Sequence, residues 1–351
     1  MEESPLRPRV SVVFATYNRA QSAARLLEQL SAQSLEPEQF EVVVVDDGSK
    51  DDPTEALRRV PMRCRCTIVR QPNGGAASAR DRGIREARGE VIVIVDDDMQ
   101  VETDFLSRHL AYHEQHPRCV VLGHIRPDPG MEMPLFSRYH SEMLARFVAA
   151  ARSGRLRIRG TQVCTGNLSF RREDYLAVGG FDRELRQSED AELGVRLDKS
   201  GCRLVFGEDA ATLHGSDHES VEFWIRRALR YGTFDLKISR KHPDAPWTSP
   251  YRFLFAVHPV SRPLLLTLPL IPSVGEQAGR GVMATAEAVD RLGAERLAIA
   301  GATLAYGLFY FTGVRRESQS ASHFIRQFFS YARERRAEAR QAGPAIAVSP
   351  T

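Results

Sequence analysis

Three consecutive aspartates follow a run of β-branched residues in the segment VIVIVDDDMQ. A buried strand that ends in Asp96, Asp97 and Asp98 concentrates negative charge, which is unfavourable unless a positive group neutralises it. A second acidic pair, Asp46 and Asp47, ends another apolar run in FEVVVVDDGS. Hard divalent cations prefer carboxylate oxygens and commonly also bind the phosphates of a substrate. The two acidic strand ends therefore predict a metal site that a phosphorylated ligand completes.

Each acidic segment also has a purely structural explanation when it is taken alone. Asp and Ser accept backbone hydrogen bonds and Gly allows a positive φ, so DDGS at 46–49 is typical of a turn or a helix N-cap. The DDD segment is equally consistent with a cap or a solvated loop. Their position at the ends of strands that should be neighbours favours a shared cation. Because side chains alternate along a strand, Asp96 and Asp98 are expected to point the same way and Asp97 the other.

A glycine pair and an arginine lie between the two acidic segments, in QPNGGAASARDRG. Backbone N–H groups near Asn73 and Gly74, at the start of a helix, and the guanidinium of Arg80 would suit a pyrophosphate. The segment is not a GxxxxGK[ST] loop, and no GxGxxG opens the first helix. P-loop ATPases and dinucleotide-binding oxidoreductases are therefore disfavoured.

The elements that position these residues alternate between short apolar runs and helical patterns. Strands are predicted at 9–16, 40–49, 65–71 and 90–98, with helices at 20–34, 52–59 and 76–87. Continuous apolar strands joined by helices indicate a mostly parallel, Rossmann-like α/β sheet covered on both faces. In such a sheet, TYNR, DDGS and DDD should converge beyond the carboxyl ends of the strands.

The second half of the chain mixes strands and helices before it becomes helical. A strand in CVVLGHI, a helix over 135–152 and a strand in TQVCTGNLSF are predicted to complete the same domain. The Pro-rich HPDAPWTSPYRF marks a boundary. The sequence thus predicts a catalytic domain over 1–240 and a helical C-terminal region over 241–351.

Composition narrows the functional classes. The chain has 351 residues, of which 42% are hydrophobic and 26% charged, with a net charge of +3. This balance is that of a globular protein and disfavours a dedicated nucleic-acid binder. Five cysteines without a CxxC pair suggest neither a disulfide framework nor a zinc site. The charged N-terminus shows no secretory signal, so a cytoplasmic location is expected.

Five segments, in this order and spacing, resemble the family 2 glycosyltransferases of the GT-A fold. They are VSVVFATYNR, VVVVDDGSKDD, QPNGGAASARDRGIREARGEVIVIVDDD, TGNLSFRREDYLAVGGFD and SEDAELGVRL. The resemblance covers roughly 9–235. It implies an enzyme of the hexosyltransferase type that uses a nucleotide-sugar donor and Mn²⁺ or Mg²⁺.

The resemblance also implies roles for individual residues. Donor-binding positions would be Thr16, Tyr17, Asn18, Arg19, Asp46, Asp47, Asn73, Gly74, Arg80, Asp96, Asp97 and Asn167. Asp96 and Asp98 match the family's DxD motif, with Asp98, Asp96 and His214 as metal ligands. His218 is an alternative to His214, although either histidine could be structural. Asn167 and Asp182 would line the donor-sugar and acceptor wall, or simply form turns.

The catalytic base is expected in SEDAELGVRL. Ser188 suits an N-cap, and Glu189 and Asp190 suit the first turn of a helix, so capping alone could explain them. By the resemblance, Asp190, with Glu189 beside it, takes a proton from the acceptor hydroxyl in an inverting displacement. RRALRYG only loosely echoes the motif of processive members. Arg230 could therefore contact a phosphate or the acceptor, or could simply lie on a solvated helix face. The weak match also argues against processive polymer synthesis.

These features predict a metal-dependent inverting glycosyltransferase that moves a sugar from a nucleotide-sugar, with UDP-sugars foremost, to a glycan, lipid-linked or other cell-envelope acceptor. Two alternatives remain: a catalytically silent nucleotide-sugar-binding or scaffold protein, and a nucleotidyltransferase. The latter would need a glycine- and lysine-rich N-terminal loop that this sequence lacks.

The C-terminal region carries apolar segments that could contact a membrane. LAIAGATLAYGLFYFTGV is an uncharged run of 18 residues, at the lower limit of a membrane span. PLLLTLPLIPSV is too short to span. Phe324, Ile325, Phe328, Phe329 and Ala332 would form one helical stripe beside many arginines. We expect a peripheral association with the inner face of the membrane, although a soluble helical cap explains the stripe equally well.

Overall fold

The structure is a computed structural model that describes residues 7–131, 133–154, 156–214 and 220–341. The described chain divides into two compact units. We call residues 7–131 and 141–214 the sheet unit, and residues 133–140 and 220–341 the helical unit.

The sheet unit alternates strands and helices along most of its length. Its elements are β1 (Val10–Thr16), α1 (Ala20–Ser31), β2 (Phe40–Asp46), α2 (Thr54–Arg58), β3 (Arg65–Arg70), α3 (Ala76–Glu86), β4 (Val91–Val95), β5 (Met99–Val101), α4 (Phe105–Gln115), β6 (Cys119–Pro127), α5 (Leu135–Arg152), β7 (Asn167–Arg171), α6 (Arg172–Ala177), α7 (Glu189–Lys199) and β8 (Arg203–His214). The first turns of α5 belong to the helical unit.

The eight strands form one sheet in the order β3-β2-β1-β4-β7-β6-β8-β5. β1 pairs in parallel with both β2 and β4, β2 with β3, and β6 with β8. β7 is antiparallel to β4 and β6, and β5 is antiparallel to β8. Opposite residues Thr16 and Asp46 end β1 and β2 together. The predicted α/β fold is confirmed, and TYNR and DDGS meet at one edge of the sheet.

Both faces of the sheet are buried, which explains why its strands are continuously apolar. Alternate residues of β1, β2 and β4 enter two separate clusters. Phe14 and Val93 pack on the side of α1 and α4, whereas Val13 and Ile94 pack on the side of α3 and α7. A residue at the carboxyl end of these strands is therefore held on a rigid support.

The strand predicted in TQVCTGNLSF is shorter than the apolar run suggested. Only Asn167–Arg171 is β-structure, and a 3₁₀ turn occupies Gly160–Gln162. Gly160 and Gly194 explain the difference, because the two backbones touch there. A Cβ on Gly194 would lie 2.2 Å from the Gly160 carbonyl oxygen. This close approach fixes α7, which begins at Glu189, against the start of that segment.

The helical unit consists of six helices after the first turns of α5. They are α8 (Val221–Lys241), α9 (Arg252–Ala256), α10 (Arg262–Thr267), α11 (Pro272–Arg291), α12 (Glu295–Glu317) and α13 (Ala321–Gln341). The sequence predicts a boundary at 240, but α8 groups with the helices that follow it. This grouping reflects the packing of α8 on α12.

α12 contains the uncharged run that is long and apolar enough to cross a membrane. Two thirds of its most apolar 18-residue window is buried within the structure. Its glycines allow close packing on α8, because a Cβ on Gly313 would lie 1.9 Å from the Leu229 carbonyl oxygen. A Cβ on Gly232 would lie equally close to the Tyr310 carbonyl oxygen. The small residues of α12 thus serve helix packing inside the helical unit.

Replacement of Gly83 in α3 should destabilise the sheet unit. A Cβ there would lie 2.5 Å from Val13 Cγ1 in the core, and such overpacking costs about 1–3 kcal/mol. Gly83→Ala should lower the urea midpoint by the corresponding amount. Gly281→Ala in α11 is the control, because its Cβ would meet no atom within 4 Å. The control should be neutral or stabilising by up to about 1 kcal/mol. Equal midpoints for the two variants would contradict the packing described.

Candidate functional site

A cavity of about 390 Å³ opens at the carboxyl edge of the strands in the sheet unit. It is lined by Ala15, Thr16, Tyr17, Arg19, Asp47, Asn73, Gly75, Ala76, Arg80, Asp96, Asp97 and Asp98. Most of the predicted donor-binding residues therefore share one cavity, although they come from four separate segments of the chain. A larger cavity, of about 860 Å³, lies among residues at the strand starts, including Phe40 and Arg65. It contains none of the predicted site residues.

The three aspartates occupy a turn between β4 and β5. Strand alternation therefore does not govern their directions, contrary to the sequence expectation. Arg19 Nη1 lies 2.9 Å from Asp98 Oδ2 and 3.3 Å from Asp97 Oδ1. Asp96 turns to a different partner, since its Oδ1 accepts a hydrogen bond of 2.6 Å from Arg80 Nη2. Two arginines thus supply the positive charge that the aspartates require.

Asp97 and Asp98 differ in their protonation behaviour. Burial raises the pKa of Asp97 to about 6. The Thr16 hydroxyl and the Arg19 charge act in the opposite direction, but their effect is smaller than that of burial. Burial also acts to raise the pKa of Asp98, but His214 and Arg19 outweigh it and lower that pKa. His214 Nε2 lies 3.7 Å from Asp98 Oδ2. Of these two carboxylates, Asp98 is therefore the one that stays ionised more readily.

Arg80 projects from α3 and joins the aspartate turn to the start of α7. Its side chain is 10% exposed, and its Nη1 donates to Glu189 Oε1 at 3.1 Å. Burial by itself would lower the pKa of Arg80, but the charges of Asp96, Glu189 and Asp190 raise it above its usual value. A buried cation among carboxylates stays protonated, so Arg80 is a permanent positive charge in this site.

Asp190 lies in the first turn of α7 beside Glu189. Its Oδ1 accepts a hydrogen bond of 2.8 Å from the Ala191 N–H, and its Oδ2 lies 3.4 Å from the Thr165 nitrogen. Burial is the largest influence on Asp190, and the Glu189 charge adds to it, so its pKa is raised well above the usual range for an aspartate. Such a carboxylate can accept a proton near neutral pH, as a general base does.

Ser188 occupies the N-cap position of α7 but does not cap the helix. Its backbone is left-handed, with φ of 60°, and its side chain makes no capping hydrogen bond. The Ser188 hydroxyl is instead buried without a hydrogen-bond partner among the residues described. A non-glycine residue in this conformation costs free energy. The residue before the acidic pair is therefore strained, which the capping interpretation does not explain.

Asp47 anchors the glycine loop that precedes α3. Its Oδ1 accepts from the Gly74 N–H at 2.9 Å and from Gln71 Nε2 at 2.8 Å. Its Oδ2 accepts from the Gly75 N–H at 2.8 Å. The backbone donors that the sequence predicted for a pyrophosphate are therefore already used by an acidic side chain.

Asp46 and Asn18 make contacts that shape the DDGS turn. Asp46 Oδ1 accepts from the Ser49 N–H at 2.9 Å, and Asp46 is fully buried. Asn18 Oδ1 accepts from the Lys50 N–H at 2.8 Å, while the Asn18 N–H donates to the Ser49 hydroxyl. The Asn18 contacts thus hold the ends of β1 and β2 together, and the Asp46 contact shapes the turn after β2. Each contributes to the site by positioning the loops in this structure.

Asn167 belongs to a buried polar network rather than to the cavity. Its Oδ1 lies 2.9 Å from His109 Nε2, and its Nδ2 donates to the Ala210 carbonyl at 2.9 Å. Ser169 Oγ lies 2.8 Å from both His109 Nδ1 and His113 Nε2. Burial lowers the pKa of His109 to about 3 and that of His113 to about 4, so both rings are neutral. The sequence reasoning missed this network, although the histidines recur at helical spacing in α4.

Arg230 and Asp182 are not among the residues that line the cavity. Arg230 is exposed on α8 in the helical unit. Asp182 accepts from the Glu184 N–H at 2.9 Å, which is the turn-forming alternative considered for it. His218 lies outside the described residues.

The described side chains do not by themselves form a metal site. No three His, Cys, Asp or Glu side chains within the described ranges converge on one point. One atom nevertheless fits a cation: Asp98 Oδ1 is buried and has no hydrogen-bond partner within those ranges. A buried carboxylate oxygen without a partner is costly, and a bound cation would relieve that cost. The chemistry of this donor set suits Mn²⁺ or Mg²⁺ with further oxygens from a ligand.

Comparison with protein families gives two matches. Residues 11–178 match the family model described as glycosyl transferase family 2. Residues 145–215 match the model described as the N-terminal domain of galactosyltransferase. Together the matched regions contain every predicted site residue that the structure places at the carboxyl edge of the sheet.

Curated relatives are similar over about three fifths of this chain. A validoxylamine A glucosyltransferase of Streptomyces hygroscopicus subsp. limoneus is 30% identical over 243 residues, which cover 61% of this chain and 53% of the relative. A glucosyl-dolichyl phosphate glucuronosyltransferase of Haloferax volcanii is 27% identical over 239 residues, which cover 62% and 72%. The chain thus spans about half the length of the first of these relatives.

The fold is similar to that of a solved mannosyltransferase from Pyrobaculum calidifontis in complex with GDP-Man and Mn²⁺. The TM-score is 0.59 with 22% sequence identity, and the match covers 86% of each chain. This likeness establishes the GT-A type of fold.

Removal of the Arg80 charge should destabilise the protein strongly near neutral pH. Arg80→Met leaves Asp96 and Glu189 without their buried cation, a change that costs about 3–5 kcal/mol. The cost should shrink at about pH 5, because Asp190, whose pKa is raised by burial and by the Glu189 charge, is then protonated and no longer repels Glu189. Urea unfolding at the two pH values measures this difference.

Arg82→Met is the matched control on the same helix. Arg82 is half exposed and pairs only with Glu86 one turn away. Its loss should change the free energy of unfolding by at most about 0.5 kcal/mol. If Arg80→Met were no more destabilising than this control, the role of Arg80 in holding the acidic groups would be wrong.

Proposed function

Because residues 11–178 match the family model described as glycosyl transferase family 2, we propose that this protein is a metal-dependent, inverting glycosyltransferase. It transfers a sugar from a nucleotide-sugar donor, with UDP-sugars as first candidates, to a hydroxyl group of its acceptor. The observation that carries the proposal is the junction made by Arg80. This one buried guanidinium contacts both Asp96 of the aspartate turn and Glu189 beside Asp190. It joins the donor side of the site to the residue best suited to be the base.

Donor binding would replace arginine–carboxylate contacts by arginine–phosphate contacts. Arg19 and Arg80 line the cavity, where Arg19 pairs with Asp98 and Arg80 pairs with Asp96 and Glu189. Two oxygens of a phosphate group can accept the paired N–H groups of a guanidinium, as the two oxygens of a carboxylate do. Tyr17 and Asn73 are exposed at the cavity and available to a nucleoside. Thr16 and Asp97 form its buried floor.

A divalent cation would be held by Asp98, with Asp96 and His214 as further ligands. The unpartnered Oδ1 of Asp98 and the lowered pKa of that carboxyl support this assignment. When bound, the cation would stabilise the negative charge of the departing nucleoside diphosphate. The same charge would compensate the aspartates once the arginines turn to phosphate.

Asp190 would act as the general base. Its raised pKa lets it remove the proton of an acceptor hydroxyl as that oxygen attacks the anomeric carbon. A single displacement of this kind inverts the configuration at the anomeric carbon. Glu189 holds Arg80 and disfavours the ionised form of Asp190 through its own charge, so it tunes the base.

The raised pKa of Asp190 favours an enzyme over a silent nucleotide-sugar-binding protein. A scaffold needs no proton acceptor poised near neutral pH, and burial of such a group costs stability. Nucleotidyl transfer is disfavoured by the absence of a glycine- and lysine-rich N-terminal loop in the sequence.

We infer a lipid-linked or other cell-envelope acceptor and a peripheral location at the inner membrane face. Residues 241–351 carry thirteen Lys and Arg against eight Asp and Glu, which suits an anionic surface. Only part of the apolar stripe predicted on α13 is exposed and could contact a membrane. Phe324 is fully buried against Tyr251 and Phe311, and only Phe329 of the apolar stripe is largely exposed.

A panel of nucleotide-sugars tests the proposed activity. UDP-, GDP- and dTDP-sugars are incubated with the protein in Mn²⁺, Mg²⁺ or EDTA, and both donor hydrolysis and the melting temperature are followed. A true donor should raise the melting temperature by mass action, and only when metal is present. If a donor binds but no donor is hydrolysed and no acceptor preparation is glycosylated, the silent binding protein is favoured.

Asp98→Asn should weaken metal binding at nearly constant side-chain volume. We expect the Mn²⁺ concentration for half-maximal activity to rise by at least about tenfold. The variant lacks one carboxylate ligand, and the remaining ligands, Asp96 and His214, bind metal poorly by themselves. The Mn²⁺ titration of donor turnover measures this shift. An unchanged Mn²⁺ dependence at wild-type turnover would show that Asp98 is not a ligand.

Asp190→Asn should lower kcat by about 10²–10⁴-fold with little change in donor affinity. In the wild type, activity should rise with pH as Asp190 loses its proton, and this limb should lie above the pKa of an ordinary aspartate because its pKa is raised. The variant should lose the limb. A pH profile of kcat and a donor titration check both points, and weak donor binding with intact kcat would reassign Asp190 to the donor site.

A further inference from the structure

A third cavity, which lies in the helical unit, is lined by the residue types expected of an anion-binding site. It measures about 410 Å³ and is lined by Arg262, Arg335 and Arg336 on a floor that includes Phe255 and Phe328. Its lining contains no acidic residue. Three positive charges around one cavity repel one another unless a negative group enters it.

Two of the three arginines pack on one aromatic ring. The Arg262 guanidinium carbon lies 5.1 Å from the centroid of the Phe255 ring, and that of Arg335 lies 4.1 Å from the same centroid. Cation–π contacts of this kind leave the N–H edges of a guanidinium free to donate hydrogen bonds. The Nε of Arg262 is buried without a hydrogen-bond partner, and no carboxylate pairs with any of the three arginines in the part of the chain described here.

Exposed apolar side chains lie in the chain segment that contributes Arg262. Val260 is 75% exposed and Ile271 is 60% exposed, and Leu264 and Val274 are also exposed. This segment, residues 260–274, includes α10 and several prolines. Phe329, whose ring lies 5.2 Å from that of the cavity residue Phe328, is 57% exposed. Apolar groups and a cationic cavity therefore occur together.

We propose that this surface is a binding site for an anionic phospholipid bilayer. A lipid phosphate occupies the cavity of Arg262, Arg335 and Arg336, and the exposed apolar side chains of residues 260–274 enter the interfacial region. The proposal rests on the peripheral membrane association inferred above and gives it a location. A soluble phosphate would explain the arginines but not the exposed apolar side chains beside them. Two weak signals of this kind, charge and insertion, together give stable membrane binding.

The test uses the full chain with two sets of vesicles in a sedimentation assay. One set is phosphatidylcholine alone, and the other contains phosphatidylglycerol in phosphatidylcholine. The wild type should sediment with the anionic vesicles only. The triple variant R262Q/R335Q/R336Q should lower the partition coefficient by at least about tenfold, because each basic residue near the surface contributes severalfold.

Matched variants separate a specific site from diffuse charge. R291Q/R296Q/R326Q removes three exposed arginines of the same unit that do not line the cavity. It should lower binding by less than about threefold. Val260→Ser with Ile271→Ser should also weaken binding, whereas Leu292→Ser with Leu297→Ser, at equally exposed positions, should not. A urea unfolding midpoint equal to that of the wild type reports that each variant is folded.

The outcomes separate this proposal from the wider one. Equal losses in the two arginine variants, with wild-type binding intact, would overturn the cavity as the site but keep the membrane association. Absence of wild-type binding to either vesicle would overturn both, without affecting donor stabilisation. Titration with inorganic pyrophosphate provides the last arm: saturable binding that depends on Arg262, without vesicle binding, would assign the cavity to a soluble phosphate and overturn the lipid assignment.

Discussion

Repulsion among closely spaced carboxylates is the constraint on which the sheet unit's chemistry depends. Asp96, Asp97 and Asp98 follow β4 directly, and Glu189 and Asp190 begin α7. Arg19 and Arg80 compensate this charge, and Arg80 does so from a buried position. In the function proposed above, a bound metal–diphosphate would take over this compensation as the arginines turn to phosphate.

The packing of the surrounding fold holds these acidic groups in place against their mutual repulsion. Both faces of the sheet are packed, so the strand ends that carry Thr16, Asp46 and Asp96 have little freedom. Asp47 satisfies the first backbone donors before α3, which directs that helix and Arg80 with it. The contact between Gly160 and Gly194 fixes α7 in the same way. Packed elements of this kind hold the carboxylates close together, whereas on mobile segments their repulsion would move them apart.

Strand positions, the α/β class and the convergence of TYNR, DDGS and DDD could be predicted from sequence, because they follow from local patterns and from the geometry of parallel strands. The partners of individual side chains could not. Asn167 and Asp47 belong to the same polar residue types as donor-binding residues, but long-range packing commits them to His109 and to the glycine loop. The prediction of the directions of the three aspartate side chains was wrong for a local reason, because the strand ends at Val95 and the chain turns there. The strained Ser188 gave no sequence signal at all, because its conformation depends on the tertiary position of α7.

The most direct measurement is calorimetric titration of the protein with a nucleoside diphosphate, in Mn²⁺ and again in EDTA. Exchange of arginine–carboxylate pairs for a metal–diphosphate predicts saturable, one-to-one binding of UDP or another nucleoside diphosphate that requires Mn²⁺. It also predicts that Mn²⁺ alone binds much more weakly, since the protein contributes an incomplete set of ligands. Equal affinity in EDTA, or no binding of any nucleoside diphosphate, would contradict the account.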